Sequence, residues 1–359
     1  MSKENQPRLR PEMEALPTYK AGKKVSAVAG LEAFKLSSNE NANAPLPSVL
    51  EVIYKAATEV NRYPDPFTTQ LITALAKKFD IPAEQIATGT GSVGVCQQIV
   101  QAVAGAGDEV MFAWRSFEAY PIIATIAGAK SVQVPLRADG GHDLDAMAAA
   151  ITNRTRVIFI CTPNNPTGGI VTQSEVDSFL AKVPNDILVV IDEAYIEFNS
   201  DPDAVAGMKT MKAHSNVGVL RTFSKAYGLA GLRVGYFAGP THIADAVRKT
   251  AVPFGVSNIA QAAALASLEH EAELFDRVKQ IILDRQWFED ELDAIGFDTP
   301  PSQANFVWLP LGARTDEFTK ACEGIAVAIR PFSGEGVRIS IGEREAMQRV
   351  IKAAKPFAS

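Results

Sequence analysis

Between residues 109 and 239 the chain repeats one pattern: a short run of apolar, mostly β-branched residues, then a stretch in which apolar positions recur at helical spacing. The runs are EVMFAW (109–114), SVQVPL (131–136), RVIFICTP (156–163), ILVVIDEAY (187–195), VGVLRTFS (217–224) and RVGYFAG (233–239). Most lack the alternating polar positions of a half-exposed strand, which predicts strands buried on both faces. Stretches of helical length, such as FEAYPIIATIAG and QSEVDSFLAKV, separate most of them. This alternation predicts an α/β fold, with a three-layer α/β/α large domain around a mainly parallel sheet. Ligands of such sheets bind at the carboxyl ends of the strands.

The flanks differ. Up to about residue 40 the chain is polar, punctuated by Pro and Gly and without a sustained period, which reads as an arm. SVLEVIYKAATEV (48–60) and TTQLITALAKKFD (68–80) predict two helices, divided by the turn NRYPDP and ended at Ile81-Pro82. After about residue 258 come a long helix pair, short strands in NFVWLPL and VRISIG, and a closing helix. The expected division is therefore an N-terminal arm (1–32) belonging with the small domain, a large domain (33–258) and a smaller α+β domain (259–359).

Composition narrows the function. The chain has 359 residues, 47% of them hydrophobic, a formal net charge of -6 and a pI near 5.4, with Lys and Arg scattered along it. That argues against nucleic acid or an anionic membrane as partner and for a small-molecule substrate. No apolar run has the length of a membrane span, and MSKENQPRLRPEM lacks the apolar centre of a signal peptide, so a cytoplasmic protein is expected. Cys96, Cys161 and Cys322 are far apart and read as core thiols. His142, His214, His242 and His270 show no ligand spacing and read as surface or helix residues, so no metal is expected.

Residues 89–94, GTGSVG, fit the G-x-G-x-x-G spacing of a dinucleotide loop. A strand (QIAT) precedes it and a helix (VGVCQQIVQAVAG) comes after it, but the acid that should close the next strand and hold a ribose is missing. The far end of EVMFAW carries Trp114 and Arg115 instead. An NAD(P)-dependent dehydrogenase is thereby a remote alternative.

Stronger chemistry lies at the carboxyl ends of three later strands, in TPNNPTG (162–168), IDEAY (191–195) and TFSKAYGLAGLRVG (222–235). Asp192 directly after an apolar run is costly to bury without a cation, and Lys225 without a lowered pKa or a covalent use. Pairing with each other or capping a helix would also satisfy them. A cofactor with a protonated ring nitrogen, an aldehyde and a phosphate would use Asp192, Lys225 and Arg233 together, and pyridoxal phosphate has those groups.

With LSSNENANAP (36–45), NRYPDP (61–66), PNNPTG (163–168), IDEAYIEF (191–198), SKAYGLAGLRVG (224–235), QANFVWL (303–309) and VRISIG (337–342), the chain resembles the fold-type I pyridoxal-phosphate aminotransferases over nearly its whole length. Within them it is similar to the branch holding histidinol-phosphate aminotransferases and the actinobacterial aromatic (phenylalanine) aminotransferases. The resemblance implies that Lys225 bonds the aldehyde of pyridoxal 5′-phosphate and later moves the Cα proton, and that Asp192 keeps the ring nitrogen protonated. It gives Asn165 and Tyr195 the ring hydroxyl, Phe117 the stacking face, and Ser224, Arg233 and the N–H groups of Ser92 and Val93 the phosphate. Tyr63 would reach that phosphate from a partner subunit, making the enzyme a homodimer. Arg338 would grip the substrate α-carboxylate, with Asn165, Asn39 and Tyr19 completing the substrate site. Val93-Gly94 stands where many members carry an acidic pair.

The reaction implied is ping-pong transfer of an amino group to a 2-oxo acid such as 2-oxoglutarate. FAWRSFEAYP and WLPLG favour phenylalanine, tyrosine or tryptophan as donor. Histidinol phosphate is the alternative, and Tyr19 fits either.

Overall fold

The computed structural model describes residues 7–358 except 20, 21, 23, 24 and 26. Its strands are β1 (Phe34–Lys35), β2 (Ile86–Gly89), β3 (Glu109–Trp114), β4 (Lys130–Pro135), β5 (Thr155–Cys161), β6 (Leu188–Asp192), β7 (Val217–Thr222), β8 (Gly235–Ala238), β9 (Phe306–Leu309), β10 (Val327–Ala328), β11 (Arg330–Phe332) and β12 (Gly336–Ser340). Seven of them form the central sheet in the order β2-β8-β7-β6-β5-β3-β4.

The sheet is parallel from β7 through β4, as the alternating pattern predicts. The exception is β8, which runs antiparallel to both β2 and β7. A parallel return needs a crossover, usually a helix. The segment between β7 and β8 instead holds the lysine loop and one short 3-10 turn (Ala230–Leu232). Period-two alternation splits the strand residues between two cores: Val110, Phe112, Val157, Phe159 and Val190 point to one side, Met111, Ala113, Ile158, Ile160, Val189 and Ile191 to the other. Helices cover both faces, which is why these strands carry apolar residues at every position.

Three predicted runs stop short at their carboxyl ends: β5 at Cys161, β6 at Asp192 and β7 at Thr222. Beyond each of these ends the chain turns polar and forms a loop. The order places β3 between β4 and β5, so consecutive connections leave in opposite directions there, and a crevice opens beyond the strand ends.

The rest of the chain builds a second, smaller sheet of β11, β12 and β9, all antiparallel. Near the expected start of the large domain, β1 pairs in parallel with β10. The long helix pair is broken at His270 into Asn258–Glu269 and Glu271–Ala294, the first capped by the Ser257 side chain. All three cysteines are buried and free. His142 departs from expectation. It is buried at 1% exposure, because the turn before it folds against Thr167 of the PNNPTG loop, and burial lowers its pKa to about 4.

Candidate active site

A cavity of about 360 Å³ opens at the carboxyl ends of β5, β6 and β7, walled on the other side by β11 and β12. Of the site residues named from the sequence it collects Tyr19, Asn39, Ser92, Val93, Phe117, Asn165, Asp192, Tyr195, Ser224, Lys225, Arg233 and Arg338. It does not include Tyr63, which stands 83% exposed and stacked on Phe254 at 4.6 Å between ring centroids.

Asp192 is the last residue of β6, paired with Cys161 on one side and Leu220 on the other, and so sits at the cavity floor. Its carboxylate accepts from Tyr120 Oη at 2.6 Å and from the Ala194 N–H at 3.2 Å. Burial raises its pKa from 3.8 to about 6, and these two hydrogen bonds hold it from rising further. Lys225 lies three residues past β7, its Nζ donating to the Ser38 carbonyl at 3.3 Å. Burial first, then the charges of Arg338 and Arg233, lower its pKa from 10.5 to about 7. An amine at that value is largely uncharged just above neutrality and is a competent nucleophile.

At one end the helix Gly91–Val103 points its N-terminus inward, and no side chain caps it. Its free N–H groups form an anion site. Arg233 reaches the same place, donating to Ser224 Oγ at 3.2 Å. It adopts φ 58°, a left-handed conformation uncommon for a non-glycine residue, of the kind that collects at functional positions. Gly91, at φ 77°, is required there: a Cβ would come within 2.3 Å of the Arg233 guanidinium. Gly235 likewise lets β8 pass the Ser92 N–H, which a Cβ would approach to 2.5 Å.

At the other end Arg338, on β12, donates to Asn165 Oδ1 at 2.6 Å and to the Ser37 carbonyl at 2.9 Å, while its buried Nε has no partner among the described residues. Burial lowers the pKa of this arginine. A guanidinium held by neutral oxygens, with N–H groups beyond the two donated, has the geometry to take a carboxylate. Asn39 donates from Nδ2 to Tyr195 Oη at 3.0 Å, and its own φ of 53° is fixed by bonds to Ser340 and Asn305.

These donors fit a group with a phosphate at one end and a protonated ring nitrogen at the other. The uncapped helix and Arg233 would suit the first and Asp192 the second, and Lys225 lines the same cavity. Sequence reasoning missed Tyr120, Glu118 and Arg330. Tyr120 lies in the first turn of the helix Ala119–Ala127, three positions after Phe117, and that closeness was the available signal. For Arg330 the signal was a second arginine in an apolar strand eight positions before Arg338.

The fold and this arrangement define a class of enzyme that handles amino groups. The chain belongs to the aminotransferase class I and II family, whose pattern it matches over residues 32–353. It is 56% identical over 354 residues to an aromatic amino acid aminotransferase of Streptomyces coelicolor, covering 99% of this chain and 98% of that one. A protein of the same name from Thermobifida fusca is 52% identical over 342 residues, covering 95% of each chain. Among solved structures, histidinol-phosphate aminotransferase from Sinorhizobium meliloti in complex with pyridoxal-5'-phosphate superposes with a TM-score of 0.87 at 29% identity, covering 99% of both chains.

Proposed function

We propose that the protein is a pyridoxal 5′-phosphate-dependent aminotransferase that moves the amino group of phenylalanine, tyrosine or tryptophan to a 2-oxo acid such as 2-oxoglutarate. The observation that carries this is the convergence of Lys225, Asp192 and Arg338 on one cavity, in a chain 50–56% identical to proteins named aromatic amino acid aminotransferases.

When bound, the cofactor supplies an aldehyde that takes up the amino group and a ring that accepts electrons from Cα. Ser92, Val93, Ser224 and Arg233 hold its phosphate. Asp192, ionised at neutral pH, keeps a proton on the ring nitrogen. Asn165 and Tyr195 serve the ring hydroxyl, and Phe117 offers its face to the ring. Arg338 binds the substrate α-carboxylate and so orients Cα, with Asn39 and Tyr19 shaping the space beside it. Lys225, uncharged in part at pH 7, would hold the cofactor through its aldehyde and would serve as the base that takes the proton from the substrate Cα. The keto acid leaves before the second substrate enters, giving ping-pong kinetics.

This reading includes a homodimer in the cytoplasm, with Tyr63 serving the partner's phosphate site. Its support is the exposed apolar surface formed by Tyr63, Phe67, Val252 and Phe254, of the sort that partners cover. Among the described residues no helix is long and apolar enough to cross a membrane. The proposed division is a large cofactor domain up to about residue 258 and a small domain formed by the remainder with the N-terminal segment, β1 included.

Phenylalanine, tyrosine and histidinol phosphate, each assayed against 2-oxoglutarate, test the donor. A clear preference for histidinol phosphate would replace the aromatic assignment.

A further inference from the structure

Strands β11 and β12 set Arg330 and Arg338 directly opposite each other. Both line the cavity and both are largely buried, at 8% and 7% exposure. Like charges facing across a strand pair repel, and burial makes a counter-charge more necessary.

The two arginines are not equivalent. Arg338 is held by neutral oxygens, as described above, and keeps its charge for an incoming anion. Arg330 donates from Nη2 to Glu118 Oε2 at 2.6 Å. Glu118 comes from the opposite wall, one residue after Phe117 and just before the helix Ala119–Ala127. It too lines the cavity. The neighbouring Arg115 is engaged by Glu335, and neither of these lines the cavity. Glu40, further round the wall, pairs with Lys35 at 2.9 Å. Of the two glutamates among the described residues that line the cavity, Glu118 is therefore engaged by Arg330 and Glu40 by Lys35.

We propose that Glu118 is a specificity-determining residue. By holding Arg330 it leaves Arg338 as the cation offered to substrate, so the site favours donors with one anionic group and a neutral side chain over those with a second anion at the far end. The inference rests on the aminotransferase reading. It also means that a dicarboxylic acceptor has to share Arg330 with Glu118 or displace it. Selection here works by occupying a potential partner rather than by shape alone.

The test uses holoenzyme and two unreactive acids: 3-phenylpropanoate, with one carboxylate, and glutarate, with two. Calorimetric titration of wild type, Glu118→Gln and the double variant Glu118→Gln/Arg330→Gln gives the ratio of the two dissociation constants. In Glu118→Gln that ratio is expected to move toward glutarate by at least about tenfold, a change of roughly 1.4 kcal/mol. In the double variant it returns toward the wild-type value. A ratio that Glu118→Gln leaves alone, or a shift that persists without Arg330, overturns the proposal. Glu118→Ala removes the same charge and is held to the same outcome should the glutamine variant fold poorly. The wild-type arm judges the underlying reading separately: no binding of 3-phenylpropanoate and no transamination of phenylalanine would remove the aromatic donor, whereas only the comparison between variants bears on Glu118.

Discussion

Tyr120 donates a 2.6 Å hydrogen bond to Asp192 from beneath the cavity floor, with both side chains buried. Its ring is stacked on Phe159 at 4.8 Å and meets the edge of Phe117 at 5.5 Å, so the hydroxyl has little freedom to leave. Tyr120 thus acts through Asp192 as a positioning residue. The bond favours the ionised carboxylate, so its loss in Tyr120→Phe raises the Asp192 pKa above about 6. A hydrogen bond to a charged group contributes about 1.5–3 kcal/mol, which corresponds to roughly one to two pKa units. The acid limb of the kcat/KM profile is expected to move to higher pH, with a loss of roughly two- to tenfold at pH 7. An acid limb that stays in place would count against this role.

Lys225 gives a second pH prediction. Its pKa is lowered to about 7 by burial and by the nearby arginines, so the fraction of neutral amine rises through that value. In cofactor-free protein the rate of aldehyde capture, followed by absorbance, should increase as pH rises through about 7. Arg338→Gln removes a cation, stabilises the ammonium form and shifts the midpoint upward. A midpoint near the 10.5 of an ordinary lysine would contradict the burial argument.

Gly91→Ala places a methyl group 2.3 Å from the Arg233 guanidinium at a residue whose φ is 77°. Both effects disturb the anion site while leaving the sheet in place. We expect affinity for pyridoxal phosphate to fall by at least about tenfold, or 1.4 kcal/mol, with a smaller change in the unfolding midpoint of the cofactor-free protein. Equilibrium titration against thermal melting separates the two.

The apolar surface around Tyr63 predicts the assembly. Val252→Asp combined with Phe254→Ser puts charge and polarity where Val252 is 72% and Phe254 41% exposed. Sedimentation should show a dimer for the wild type and monomer for the variant, and the monomer should bind the cofactor more weakly because it lacks the partner's Tyr63. A variant that remains dimeric would place the interface elsewhere.

The central sheet was legible because strands buried on both faces must be apolar at every position, and β3, Glu109–Trp114, has the predicted bounds. Asp192, Lys225 and Arg233 were legible for the opposite reason: charged residues at the ends of such runs stand out. The antiparallel turn of β8 was not, since strand direction depends on what the intervening loop does, and that loop is shaped by the site. Glu118 was hidden because it looks like an ordinary surface charge, and Arg330, although it stands in an apolar run, shows its partner only when the fold brings together residues 212 positions apart. Tyr120 reads in the sequence as part of an amphipathic helix, and the role of its polar end emerges only with Asp192 beside it in the fold.

The cavity takes residues from Tyr19 near one end of the chain to Arg338 near the other, with contributions from the loops after β5, β6 and β7. A ligand that fits it can bind only when all those segments are home. Occupancy is then a reading of whether the whole chain has folded: at about 100 times Kd, a ligand specific for the native state adds roughly 2.7 kcal/mol to its stability. A cell short of the cofactor would be expected to lose this protein to degradation as well as its activity.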